Sequence, residues 1–175
     1  TTLARRAYRR PVSDLDITPL VSVFRGGRDD RNFEFGIELA LEALLSMPEF
    51  LLRVEHEPLD LQPGAPYQLT DLELASRLSF FVWRSIPDDE LLDVAARDQL
   101  SDSTVLSQQV RRMLADPRAS RFMNDFVGQW LQVRNINEQA PDGALFAGFN
   151  DTLRKAMLRE TELFFESQVR EDESI

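Results

Sequence analysis

One histidine stands in this chain, His56, flanked by Glu55 and Glu57 in "RVEHEP". An imidazole beside carboxylates can serve as a general base or as one ligand of a metal. Neither use is completed by its neighbours in sequence. A ferritin-like carboxylate site needs Glu three residues before His, and Arg53 occupies that place. A zinc site of the H-E-x-x-H kind needs a second histidine. A serine triad would have to borrow His56 without a G-x-S-x-G elbow. Neither G-x-x-x-x-G-K-[ST] nor G-x-G-x-x-G occurs, so a phosphate-cradling loop is unsupported. With Cys 0, thiolate metal sites, disulfides, cysteine nucleophiles and c-type haem attachment are excluded from this segment. Paired acids such as Glu160 and Glu162 invite comparison with glycosidases, but sequence cannot place two carboxyls across a cleft in a chain with 30 acidic residues.

What remains is a loose constellation. Arg77 and Arg84 lie seven residues apart, close to one face of a helix, with Trp83 beside them. Together with Glu55 and His56 they form the candidate pocket-lining set: Glu55, His56, Arg77, Trp83 and Arg84. The bland alternative is that the arginines pair with acids and that the histidine is a surface residue. Phe80, Phe81, Trp83, Phe122, Phe126, Trp130, Phe164 and Phe165 recur at helical spacing, which reads as core before it reads as a haem-facing wall. Arg5, Arg6, Arg9 and Arg10 in "ARRAYRRP" read as a solvated or partner-facing helix end.

The elements that position these residues are helical nearly throughout. A basic helix over residues 3–10 is closed by Pro11. A second starts at Ser13 or Asp14, or at Thr18 with Pro19 in the first turn, and Gly26-Gly27 is its expected stop. A third spans residues 32–47, with Phe33, Ile37, Leu41, Leu44 and Leu45 as its core stripe and Glu34, Glu38 and Glu42 facing water. Residues 56–68, rich in proline, form an extended strap. Thr70 and Glu73 make a capping box, backed by a Leu69–Leu74 staple, for a helix whose core stripe is Leu74, Leu78, Phe81 and Val82. Pro87 breaks it, and Asp88, Asp89 and Glu90 open the next. Ser101, then Asp116 before Pro117, then Asn150 cap three more. The fold class is all-α: an irregular bundle of about seven or eight helices with two Pro/Gly-rich loops.

The totals agree. The net charge of −10 disfavours nucleic acid as a partner. The most apolar run, "FGIELALEALLSMPEFLL", is broken by Glu38, Glu42, Pro48 and Glu49, so no membrane span is expected.

Five runs in order carry a family resemblance: "AYRRPVS", "FEFGIELALEALLSMPEFLLRVE", "YQLTDLELASRLSFFVWRSIPDDELL", "VRRMLADPRASRFMNDFVGQWL" and "LRKAMLRETELFFESQVRED". Together they resemble the planctomycete-type domains of unknown function found in large proteins beside a cytochrome c domain. The resemblance implies a small leading helical module over residues 1–57, a strap over 58–69, and a helical domain from 70 to 175 that continues further. It also implies export, hence an extracytoplasmic location, and a redox context. It supplies no catalytic residue and no reaction. C-x-x-C-H is absent here, so any haem c belongs elsewhere in the parent protein; within this segment neither cofactor nor metal is expected. The expected function is scaffolding or packing against other domains of the same chain. The alternatives are one wall of an oxidative or hydrolytic enzyme site at the His56 strap, acting on a small molecule or polymer, and a protein-binding adaptor.

Overall fold

The computed structural model describes residues 1–58, 60–62 and 64–171, excepting the side chains of Met123, Val127 and Arg134. Among these residues there are nine α-helices and no strand. They run α1 (Thr2–Tyr8), α2 (Asp14–Asp30), α3 (Phe33–Ser46), α4 (Pro48–Leu51), α5 (Asp71–Val82), α6 (Asp89–Ala95), α7 (Ser103–Ala115), α8 (Ser120–Trp130) and α9 (Asp151–Glu171), with 3-10 turns at Pro117–Ala119 and Val133–Asn137. The chain divides into two compact units. One comprises Thr1–Phe80 and Ser85–Ser107; the other comprises Phe81–Arg84 and Gln108–Ile175.

In the first unit, α2 begins at a capping box: the Ser13 backbone N–H donates to Asp16 Oδ2 at 2.7 Å. The helix does not stop at Gly26-Gly27 but continues to Asp30. The reason is packing. A Cβ on Gly27 would come within 3.0 Å of the Gly36 Cα, and a Cβ on Gly36 would lie 2.5 Å from the Phe24 carbonyl oxygen. The glycines let α2 and α3 approach backbone to backbone, and the approach overrides their preference for helix ends.

This contact also overturns the expected core face of α3. Gly36 and Leu44 are its buried residues, whereas Phe33, Ile37, Leu41 and Leu45 are exposed. A helix that meets its neighbour through a small residue turns its larger apolar side chains to the flank. Glu34, Glu38 and Glu42 do face water. Ala4, Ala7, Tyr8 and Leu44 form a core cluster that Val12, Ile17, Leu20, Met47 and Phe50 complete.

The basic start is not a free surface. Arg5 and Arg6 pair with Asp93 and Asp89 on α6. Arg10 pairs with Asp16 at 2.7 Å. Arg9 is 7% exposed and holds a left-handed backbone at φ 55° just past α1. Its guanidinium donates to the carbonyls of Ala7 (3.1 Å), Phe50 (3.3 Å), Glu49 (2.5 Å) and Leu52 (2.6 Å). Burial first, and the Arg53 charge second, lower the Arg9 pKa. An arginine starts so high that it keeps its charge.

The start of α5 is tied elsewhere in the same unit. Asp71, buried, accepts from the Leu100 backbone N–H at 2.5 Å and from the Ser101 hydroxyl. Ser101 is therefore not the cap of α7. Asp102 takes that role, accepting from the Thr104 and Val105 N–H groups at 2.8 and 3.1 Å. Asp88 caps α6, accepting from the Leu91 N–H at 3.0 Å.

In the second unit Trp83 is fully buried beside Met113, while Phe81, expected in the core, is exposed. Phe81 instead begins a run of ring contacts through Phe122, Phe126, Trp130 and Phe165 to Phe164, at centroid spacings of 4.8, 5.4, 5.7, 5.9 and 6.0 Å. Asn150 caps α9, accepting from the Leu153 N–H at 3.0 Å.

Two substitutions test this account by denaturant unfolding. Gly36→Ala, which drives a methyl into the α2 backbone, should cost about 2–4 kcal/mol. Arg9→Gly keeps the left-handed backbone but removes the guanidinium, and should cost about 2–3 kcal/mol rather than stabilise as relief of strain would.

Candidate functional site

Three of the five candidate residues come together in the first unit, where the strap meets α5. The join is made by Glu73. Its Oε2 accepts from the Thr70 backbone N–H at 2.9 Å and the Thr70 hydroxyl at 2.8 Å, completing the capping box read from the sequence. Its Oε1 accepts from the His56 backbone N–H at 2.8 Å and faces His56 Nδ1 at 3.0 Å. A carboxylate only accepts, so the Nδ1 proton points to Glu73 and Nε2 is left at the outer edge of the ring. The His56 side chain is 81% exposed, that of Glu73 only 11%. Burial alone would raise the Glu73 pKa; the hydrogen bonds from Thr70 and His56 outweigh it and hold the carboxyl at about 2.

One turn along α5, Arg77 makes a two-pronged pair with Glu55: Nε to Oε1 at 3.1 Å and an Nη to Oε2 at 3.2 Å. Tyr67 lies in the same electrostatic neighbourhood. Burial first, then the charges of Glu55, Glu57 and Glu73, raise its pKa, with Arg77 opposing. A cavity of about 330 Å³ is lined by Arg53, Val54, Glu55, Glu73, Ser76 and Arg77. The Arg53 guanidinium stacks 4.7 Å from the Phe80 ring centroid. The Ser76 hydroxyl is buried there without a hydrogen-bond partner.

The cavity's carboxylates are already committed, one to a helix cap and one to Arg77. His56 is not among its lining residues, so the imidazole and the cavity do not form a base-and-pocket pair. Sequence reading missed Arg53 and Ser76, which bear no motif; only the fold brings them beside Glu73.

The other two candidates belong to the second unit. Trp83 donates its indole N–H to the Met113 carbonyl at 2.9 Å and lies under the Arg118 guanidinium, 3.5 Å from the ring centroid. It is a buried anchor with its one polar atom used. Arg84 pairs with Asp125 at 2.5 Å from a left-handed backbone at φ 52°. No group of three or more His, Asp or Glu residues among the described residues is placed to hold a metal ion, and no described helix is long and apolar enough to cross a membrane.

An all-α chain built in this way matches a known class over most of its length. Residues 69–175 match the family described as Protein of unknown function (DUF1592), and residues 1–55 match the one described as Protein of unknown function (DUF1595). The first match takes in more than half of the chain, and the chain belongs to that family. No curated protein and no solved structure matches it.

The Glu73 junction predicts an acid response. With the carboxyl held at about 2 against an ordinary 4.5, its contribution is complete above pH 4.5 and fades as pH falls toward 2. Glu73→Gln should cost about 1–2 kcal/mol at about pH 7 and flatten the loss of stability between about pH 5 and pH 3, read from denaturant midpoints.

Proposed function

We propose that this chain is a non-catalytic helical packing module whose apolar faces are covered by other domains of the same polypeptide. The observation that carries the reading is α9: of its 21 residues none is buried, and Leu153, Met157, Leu163 and Phe164 are all exposed. Trp130, 61% exposed, extends the same character onto α8. An amphipathic helix gains most of its stability by burying its apolar face, so a long helix with an open one is built to be covered. The ordered sequence runs that resemble planctomycete-type, cytochrome-c-linked proteins support an exported parent with a redox context. On this reading the haem belongs to another domain.

A second reading, one wall of an enzyme site, draws on the His56–Glu73 pair, which orients an imidazole with Nε2 outward. It is the weaker of the two, because the neighbouring cavity brings Nε2 neither a nucleophile nor an electrophile.

Two measurements check the packing reading. Leu153→Ser with Phe164→Ser should leave the chain's own stability within about 0.5 kcal/mol while lowering its binding of a hydrophobic dye. A large loss of stability would mean that the face is already part of a core. Titration of the purified chain with haemin should give no saturable one-to-one Soret shift; stoichiometric haem binding, or turnover by the chain alone, would sink the reading.

A further inference from the structure

The second unit contains a cavity of about 520 Å³ lined by Arg84, Asp125, Gly128, Gln129, Gln132 and Asn135. Two of these residues, Arg84 and Gln132, hold left-handed backbones, each at φ 52°. Each sits two residues beyond the end of its helix, α5 and α8, the position that usually goes to glycine. A long polar side chain at such a position is kept at a conformational cost, and here two of them open onto one cavity. Gly128, buried, contributes no side chain to the lining and leaves the room open.

The lining specifies its ligand by exclusion. Among the described lining residues the charges are those of Arg84 and Asp125, which pair at 2.5 Å, so this lining adds no net charge. The Asn135 side-chain amide donates to Gln132 Oε1 at 3.3 Å, and both amides keep further capacity to donate and to accept. A neutral ligand bearing many groups that both donate and accept fits this set: a polyhydroxyl compound. Along α8, Phe126 and Trp130 each follow a lining residue, Asp125 and Gln129, by one position. Their exposed rings, 5.7 Å apart, run as a stripe next to the polar one. Planar amides and an Arg–Asp pair suit the many O–H groups of a sugar, and the ring stripe on the adjoining side of α8 offers an apolar surface to its C–H groups at the rim. An extended peptide is less well served, since among the described residues no strand offers an edge to pair with it.

We infer that this cavity is a saccharide-binding subsite, which takes a sugar unit of a neutral glycan between the Arg84–Asp125 pair and the Gln129, Gln132 and Asn135 amides. Such binding is separable from the packing reading, because the cavity lining takes no residue of the open α9 face, and Trp130 alone is common to both.

The test uses the whole chain and neutral tetrasaccharides from xylan, β-glucan and mannan, followed by tryptophan fluorescence and saturation-transfer NMR. At least one should bind saturably. Gln132→Gly should weaken that binding about tenfold without lowering Tm, because glycine suits the left-handed backbone. A merely structural role for Gln132 could not give that combination. Trp130→Ala should weaken the same ligand. The inference fails if no tetrasaccharide saturates below about 10 mM, if Gln132→Gly binds as the parent does, or if a neutral Gly-Ser peptide amide binds in place of the sugars.

Discussion

The first unit is organised around a cation with no carboxylate among its hydrogen-bond partners. Arg9 is buried, and its guanidinium is shared among carbonyls of Ala7, Glu49, Phe50 and Leu52. A charge placed there is tolerable only if its donors are met, and the groups that meet it come from α1, from α4 and from Leu52 in the link that follows α4. Those carbonyls at and after the end of α4 carry the partial negative charge that a helix C-terminus presents. Satisfying one side chain therefore fixes three segments at once. It also sets the path on which Arg53, Glu55 and His56 leave α4 toward α5.

Local grammar was readable wherever a side chain answers its own backbone. Thr70 with Glu73, Asp116 before Pro117 and Asn150 all cap as their types and spacing indicate, and Ser13 opens α2 at one of the starts its sequence allows. The all-α class follows from these signals and from the 3.6-residue period. The capped register failed by one residue at Ser101, because buried Asp71 recruits that hydroxyl and Asp102 takes over the cap.

Burial was less legible, for a reason particular to α3. Its large apolar side chains form the stripe that periodicity finds, yet the contact with α2 is made through Gly36. A hydrophobic pattern reports side chains that prefer to be covered; it does not report which helix arrives or how closely. The same holds at the candidate sites. Glu55, His56 and Arg77 are near one another because Glu73 reaches back to the strap, a contact 17 residues long in sequence that no motif announces. Trp83, conspicuous in sequence, turned out to anchor a core, while Gln132 and Asn135, which carry no motif, line a cavity.

The double duty of Glu73 has a consequence for local opening. One oxygen of its carboxylate closes the first turn of α5 and the other holds His56. Any event that draws the carboxylate away, whether fraying of that turn or protonation, therefore loosens the hold on His56 as well as the cap of α5. Two segments that look separate along the chain share one anchor, and the first turn of α5 is where local unfolding would reach both.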